Sequence, residues 1–255
     1  MHPRRLLRVG LLFAALVVPA LLAGCGPKKD AAAAVANTPQ QCKEGDAAEC
    51  QRQCTTFNHG GSCKTLGDMY ATGKGVPGDS SKAVTLYLKA CDLSFGPGCT
   101  AAAKAYSEGV GVGADDGKAF ELNTKGCDAK DQNGCVGEGT ALWQGKGVAE
   151  DDDKAAKLWR AACDESLPDG CYWRGVSFEE SVGEEDDQER AAAFFDRACW
   201  MGSMMGCASL GYCYVIGRGV YEDYEKGVGL LDKSCKSGNQ WACERLQEAQ
   251  SASGG

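Results

Sequence analysis

Cysteines are the residues whose type and spacing could do chemistry in this sequence, and there are 16 of them among 255 residues. Five near-copies of one loop, the first being KACDLSFGPGC at residues 89–99, each hold two cysteines with seven residues between them. Paired thiols of this kind can bind a metal ion or form a disulfide. Structural zinc sites use four ligands, usually in C-x₂₋₄-C clusters or with histidine, and His59 is the only histidine after residue 2. The spacing therefore favours disulfides, and the sequence predicts no metal site and no cofactor.

The cysteine pairs recur with a period of 36 residues, which is typical of a repeat architecture. Antiparallel helix ends across a short turn can bring two Cα atoms within about 4.4–6.8 Å, as a disulfide requires. The predicted disulfides are Cys42–Cys50, Cys54–Cys63, Cys91–Cys99, Cys127–Cys135, Cys163–Cys171, Cys199–Cys207 and Cys235–Cys243. Near the start, Cys50 and Cys54 lie four residues apart on a predicted helix, so Cys42 could instead pair with Cys54.

Cys213 has no partner in this scheme. The same position of the other repeats holds Met69, Ala105, Ala141 and Ser177. One interpretation is a small buried side chain, because free cysteine is often buried. The other is an exposed thiol that forms an intermolecular bridge.

Each 36-residue unit is predicted to fold as two helices, which must position the cysteines. In residues 64–99, the helical spacing of apolar residues in KTLGDMYATGKG predicts a first helix that ends at its glycines. Asp79 or Ser80 then caps a second helix, KAVTLYLKAC. Small residues at Gly67 and Ala83 would let the two helices approach closely. Because a two-helix unit cannot bury its apolar face alone, successive units must stack.

The segment LGDMYATGKGVPGDSSKAVTLYLKAC, residues 66–91, resembles the Sel-1-like repeat, a relative of the tetratricopeptide repeat. The pattern L-G-x-x-Y-x-x-G-x-G-V-x-x-D-x-x-K-A is present in full, and the cysteine pairs resemble the secreted, cysteine-rich bacterial branch of that family. The resemblance implies an all-α fold over residues 42–250, a disulfide-stapled right-handed αα-superhelix (solenoid) of antiparallel helix pairs, with about five full repeats and half-repeats at both ends. In the fourth unit Ser181 replaces a loop glycine and Glu184 a valine, so its loop is expected to differ.

The first residues have the features of a secretory signal, with three arginines followed by an apolar run. The motif LAGC, which ends at Cys25, resembles the lipobox of bacterial lipoproteins. This resemblance implies cleavage before Cys25 and its acylation, with Gly26 favouring the outer membrane. We therefore expect a signal peptide at 1–24, a flexible tether at 25–41 and a disordered tail at 251–255. The expected location is the cell envelope, lipid-anchored at the outer membrane and facing the periplasm, although display outside the cell stays open.

The composition argues against several functions. The chain has 27 Lys and Arg against 35 Asp and Glu, a net charge of −8, so nucleic acid is not an expected partner. Acidic runs at 149–154 and 183–189 lack the spacing of a calcium loop and precede predicted helices, where carboxylates are favourable. Serine β-lactamases need S-x-x-K, which is absent after the signal. His59 is the one histidine after the signal, so a catalytic triad would have to depend on that residue alone. No catalytic residue is predicted.

The expected function is that of an interaction scaffold. Its partners would be a protein or peptide ligand, or a cell-wall peptide, on the concave solenoid surface, and a membrane through acyl chains on Cys25. Most aromatic residues are expected in the core, with Trp143 and Trp173 as the candidates for surface recognition. The alternative is a cell-wall hydrolase or β-lactamase-like penicillin-binding protein, an activity that the family resemblance implies and the residues do not support.

Overall fold

Twelve α-helices and no strand make up the part of the chain, residues 41–253, that a computed structural model describes. The predicted all-α fold is therefore confirmed. The helices are α1 (Ala47–Thr56), α2 (Gly60–Thr72), α3 (Ser80–Asp92), α4 (Gly96–Glu108), α5 (Asp116–Asp128), α6 (Gln132–Gln144), α7 (Asp152–Asp164), α8 (Pro168–Glu179), α9 (Gln188–Trp200), α10 (Met204–Ile216), α11 (Tyr224–Lys236) and α12 (Gln240–Ser253).

Some sequence predictions fall outside the described residues. These are the signal peptide at 1–24, the acylation site Cys25, the tether up to residue 40, and residues 254 and 255. The predicted tail at 251–255 is corrected in part, because α12 continues to Ser253. The last turns of α12 are stabilised by the burial of Ala249 and by a hydrogen bond of 2.8 Å from the hydroxyl of Ser251 to the carbonyl of Glu248.

Each full repeat is a helical hairpin, and an aspartate begins its second helix. A carboxylate oxygen of Asp79 accepts a hydrogen bond from the backbone N–H of Lys82 at 3.0 Å. This bond satisfies one of the free amides at the helix start. The cap predicted at Asp79 or Ser80 is thus Asp79. The same cap recurs at Asp115, Asp151, Asp187 and Asp223.

Glycines in the first helices make room for large side chains of the second helices. A Cβ at Gly67 would lie 2.5 Å from the ring of Tyr87, and a Cβ at Gly139 would lie 2.7 Å from the indole of Trp159. Tyr87 and Trp159 are both buried. The close approach expected at Gly67 therefore serves to seat an aromatic ring between the two helices of a repeat.

Glycines in the loop between the two helices hold one repeat against the previous one. Gly111 has a φ of 76°, a conformation that side chains other than glycine rarely adopt. A Cβ there would also collide with the backbone of Ser80, at the start of the previous second helix. The same contact is made by Gly147 on Asp116, Gly183 on Asp152 and Gly219 on Gln188. The regular glycine column of the sequence is thus explained by contact between repeats.

The stacking follows two parallel rows of helices. Each first helix packs against the first helix of the next repeat, continuously through α2, α4, α6, α8, α10 and α12. Among the second helices between residues 41 and 253, only α3 and α5 approach each other in this way. The first helices therefore form the more tightly spaced row. We call their outward surface the first-helix face.

The fourth repeat differs from the others as its sequence suggested. Its first helix, α8, ends one residue early at Glu179, and Ser181 takes the left-handed conformation with a φ of 57°. Glu184, at the valine position, forms an ion pair with Arg174, which is buried. Arg174 stands where the first and fifth repeats have a leucine, so a charged pair here replaces an apolar leucine–valine pair.

Residues 41–253 contain seven disulfides, and six of them link the end of one second helix to the start of the following first helix. The seventh, Cys42–Cys50, joins the segment before α1 to α1 itself. The Cα–Cα separations range from 4.3 to 5.1 Å. The pairs are the ones that the spacing predicts, and Cys42 is joined to Cys50 rather than to Cys54. The disulfides lie at one end of every hairpin and fix the angle at which the next repeat begins.

Candidate interaction surface

Two shallow grooves lie at equivalent places on the first-helix face. The first, of about 330 Å³, has Ala101 and Lys104 of α4 in its lining. The second, of about 260 Å³, has Gly137 and Thr140 of α6 at the same positions one repeat later. Short or flexible side chains at these positions leave the grooves open, and apolar residues, among them Val84 in the first groove and Phe120 in the second, also line them.

A third groove, of about 410 Å³, has five aromatic residues in its lining, where each of the other two has one. It lies along α8, α10 and α12, next to the end of α6. We call it the aromatic groove, after the side chains Trp143, Tyr172, Trp173, Tyr212 and Trp241 that line it.

The aromatic groove has two walls of packed rings. On one side, the ring of Trp173 lies 5.5 Å from that of Trp143 and 5.1 Å from that of Tyr172, both edge to face. On the other side, the rings of Tyr212 and Trp241 lie 5.7 Å apart. These separations are typical of stabilising aromatic pairs. The walls are therefore preorganised rather than formed from loose side chains.

The groove contains a neutralised ion pair and an unpaired carboxylate. Arg218 Nη1 lies 2.9 Å from a carboxylate oxygen of Glu179, and this hydrogen bond raises the pKa of Arg218. Glu180 is exposed, and its side chain makes neither a hydrogen bond nor an ion pair within residues 41–253, while its backbone N–H donates to the carbonyl of Val176. Burial, followed by the negative charge of Glu179, raises the pKa of Tyr172, and Asp169 and Glu180 act in the same direction. The groove thus has an excess of negative charge.

Sequence reasoning identified part of this surface. Trp143 and Trp173, the two candidates for recognition, both line the groove, whereas Tyr212 and Trp241 fall among the aromatic residues that the sequence does not distinguish from the core. A signal was present, because alignment of the repeats at 36 residues puts Trp241 in the column of Gly61 and Pro97. Apart from Met205, which lies beside Trp241 in the groove, that column has no large apolar side chain, so it is a poor place for a core tryptophan.

Cys213 lies in α10 with its side chain only 2% exposed. Burial, and after it the nearby carboxylate of Glu179, raises the pKa of the thiol to about 11. The structure therefore places Cys213 as the buried interpretation expects. A bridge to another chain would require the thiol to leave this position.

The polar residues with metal-binding or catalytic potential have structural roles. Nδ1 of His59 accepts a hydrogen bond from the backbone N–H of Ser62 at 3.1 Å and so caps α2. In the acidic runs, Asp151 and Asp187 cap helices, and Glu184 pairs with Arg174. Within residues 41–253, no group of three or more His, Cys, Asp or Glu side chains could hold a metal ion. The hydrolase alternative gains no support from this arrangement.

No helix between residues 41 and 253 is both long enough and apolar enough to cross a membrane.

Comparison with known proteins agrees with the repeat architecture. The family model described as Sel1 repeat matches residues 65–95, 97–131, 136–167, 168–203 and 205–239. No curated protein sequence matches the chain significantly.

Several solved structures have the same fold. A Sel1 repeat protein from Oxalobacter formigenes is 20% identical, with a TM-score of 0.69 over 78% of this chain and 80% of that one. A putative Sel1 repeat protein from Klebsiella pneumoniae is also 20% identical, with a TM-score of 0.56 over 82% of this chain and all of that one. The protein c5321, a protective antigen of uropathogenic Escherichia coli with an SLR fold, is 25% identical with a TM-score of 0.63. That match covers 78% of this chain but only 42% of the E. coli chain.

Proposed function

The chain belongs to the Sel1 repeat family, and from this premise we propose that it is an interaction scaffold of the bacterial cell envelope. A segment of a partner protein binds to its first-helix face, on the concave side of the solenoid. The observation that carries this proposal is the continuous row of six first helices, whose grooves are open to solvent and each of which is fixed by one disulfide to the preceding second helix.

Rigidity is the physical basis of the proposed activity. Association costs free energy when side chains and loops must be ordered at the interface, so a surface that is already ordered binds more tightly for the same contacts. The disulfides fix the start of each first helix relative to the preceding second helix. The scaffold therefore presents side chains of several repeats in a constant arrangement, and the partner supplies the segment that adapts.

The anchoring part of the proposal rests on the sequence. The lipobox-like LAGC motif supports acylation of Cys25, and the cysteine-rich repeats support export to an oxidising compartment. Lipoprotein modification adds more than one acyl chain, and stable anchoring needs more than one. The residues between Cys25 and the first repeat act as a tether that holds the scaffold near the outer membrane, on its periplasmic side.

Photo-crosslinking in cells tests the scaffold function. A photoreactive amino acid is placed at Lys104 or Met205 on the first-helix face, and at Glu121, an exposed position on a second helix, as the matched control. We expect a discrete protein adduct from the first two positions and none from Glu121. Equal adducts from all three positions, or no adduct from any, would contradict the proposal.

Metabolic labelling tests the anchor separately. An alkyne analogue of palmitate should label the full chain, and Cys25→Ser should abolish the label and release the protein from the membrane fraction. Labelling that survives this substitution would show that Cys25 is not the acylated residue.

A further inference from the structure

We propose that the aromatic groove is the specific binding site of the scaffold, and that it takes a short extended segment in which a lysine or arginine adjoins apolar side chains. This inference rests on the proposed scaffold function and adds the location of the site and the chemistry of its ligand.

The repeats themselves show that the groove is specialised. One helical framework is used in every unit, yet the position of Trp173 holds Thr65, Ala101 and Gly137 in the three preceding repeats. The fold therefore does not require a large side chain there. The same reasoning applies to Tyr212, whose position holds Lys104 and Thr140, and to Trp241 in the column of Gly61 and Pro97. Bulky aromatic residues accumulate in one region of the first-helix face, where Trp143 and Trp173 also pack against the buried ring of Trp159.

These side chains retain surface that water contacts. Trp241 is 41% exposed and Met205, beside it in the groove, is 37% exposed. Tyr172, Trp173 and Tyr212 are half-buried. Exposed apolar surface gathered in one groove marks an interaction site more often than scattered apolar residues do. Tryptophan and tyrosine are also the side chains that most often dominate binding energy at protein interfaces.

The charges in and around the groove favour a cationic ligand. Arg218 is neutralised by Glu179 at 2.9 Å, and Arg245, which lies against the far wall, is paired with Glu248 at 2.8 Å. Glu180 has no such partner within residues 41–253. An unpaired carboxylate close to tryptophan and tyrosine rings attracts a lysine or arginine, because the ring faces attract cations as well. The net charge of −8 steers a basic segment in the same direction.

The length of the groove sets the length of the ligand. Three adjacent first helices spaced about 8–10 Å apart span about 16–20 Å. An extended chain rises about 3.3 Å per residue, so about six residues cross the groove. Apolar side chains of such a segment can contact the two aromatic walls while its basic residue reaches Glu180.

Selection from a displayed random-peptide library provides the test. The oxidised full chain is immobilised, bound peptides are sequenced, and fluorescent versions of the enriched peptides are titrated by fluorescence polarisation. We expect enrichment of lysine or arginine next to aromatic or large aliphatic residues. Trp241→Ala should weaken binding about tenfold or more. Glu180→Gln should weaken it about threefold and reduce its dependence on salt.

Two control variants match these changes outside the groove. Trp200→Ala removes a tryptophan that is 87% exposed at the end of α9, and Glu185→Gln removes an exposed carboxylate in the following loop. Both should leave affinity unchanged. Circular dichroism and thermal melting of every variant show whether a loss of binding reflects a loss of fold.

The outcomes separate this inference from the function on which it rests. Peptides that bind with no sensitivity to Trp241→Ala or Glu180→Gln, but lose affinity on changes at Lys104 or Thr140, would overturn the aromatic groove as the site and leave the scaffold function standing. Enrichment of acidic or uncharged peptides would overturn the proposed ligand chemistry. Binding of a soluble cell-wall oligosaccharide in the groove, in place of any peptide, would also overturn it. A library that yields no binder to the intact chain would count against both proposals.

Discussion

Gly170, just before the second cysteine of its loop, is the position at which a very small change should have a measurable effect. A Cβ there would lie 2.7 Å from the carbonyl carbon and the Cβ of Ala162, and 2.8 Å from the backbone nitrogen of Cys163. These are backbone atoms or a single methyl group, and the Cys163–Cys171 disulfide holds the two helix ends together. The added methyl group can therefore be accommodated only if the helices move apart.

The magnitude follows from two opposing effects. Overpacking of this kind costs about 1–3 kcal/mol, whereas alanine in place of glycine in a helix stabilises by about 0.5–1 kcal/mol. Gly170→Ala should therefore lower the free energy of unfolding by about 0.5–2 kcal/mol. Gly229→Ala is the matched control, since Gly229 lies inside α11 with no neighbouring atom within 4 Å of a Cβ. It should raise the free energy of unfolding by about 0.5–1 kcal/mol.

Urea unfolding of the oxidised full chain, followed by circular dichroism, measures both changes. A thiol assay on each variant verifies that its disulfides have formed. The two variants should shift the unfolding midpoint in opposite directions without a large change in slope. If Gly170→Ala proved as stable as the parent chain with its disulfides intact, the close contact between helices at these loops would not exist as described.

Three further predictions concern stability and reactivity. Replacing Cys163 and Cys171 by alanine should lower the free energy of unfolding by about 2.6 kcal/mol, which is the chain-entropy value for a nine-residue loop. A change near zero would show that this disulfide does not constrain the unfolded chain. Glu184→Val should lower the free energy of unfolding by about 3 kcal/mol, because it leaves the buried Arg174 without its carboxylate. The double variant that also carries Arg174→Leu should recover most of this loss. Urea unfolding that shows no recovery in the double variant would refute this account. Partial burial acts to raise the pKa of Glu184, but hydrogen bonds from Arg174 and Arg160 outweigh it and hold the pKa below 4.5. The contribution of the Glu184–Arg174 pair to the free energy of unfolding should therefore be complete at neutral pH and be lost as the pH falls below 4.5. The double variant should not show this pH dependence. In a Cys25→Ser chain, Cys213 should react with Ellman's reagent near pH 8 far more slowly when folded than in urea, since its pKa is about 11 and it is buried; rapid reaction in the folded state would favour the exposed thiol instead.

The parts of the fold that the sequence predicts are those in which local chemistry repeats. The caps at Asp79 and its equivalents, the hairpins, and the disulfide pairs depend on residues within about one repeat of each other. A period of 36 residues reveals such contacts directly, because the residues that form each contact recur in several repeats. The contacts of the loop glycines are harder to predict from the sequence, since Gly111 contacts Ser80 in the preceding repeat.

The parts that escaped sequence reasoning occur once and join distant residues. Glu184 was recognised as a departure from the pattern, but its pairing with Arg174 needs two compensating changes that only the packed repeat brings together. The aromatic groove draws on four helices, so Trp143 and Trp241 become neighbours of one groove although they lie far apart in the chain. Exposure, which distinguishes a recognition residue from a core residue, is a property of the stack and not of one repeat.

The order of the disulfides along the chain has a consequence for how the molecule matures. Within residues 41–253 every pair consists of consecutive cysteines and closes a short loop, so an oxidant acting on the chain as it emerges N terminus first would make the native bonds without reshuffling. Among the cysteines of residues 41–253, Cys213 is the one that could disrupt this order, because it emerges before Cys235 and could pair with it. Cys213 belongs to a buried cluster with Val176 and Phe195, which precede it in the chain, and Val220 and Leu230, which follow it, pack against the same cluster. If α10 packs onto the completed repeats before Cys235 emerges, the odd sulfur is shielded from that partner, and the order of synthesis then favours correct oxidation.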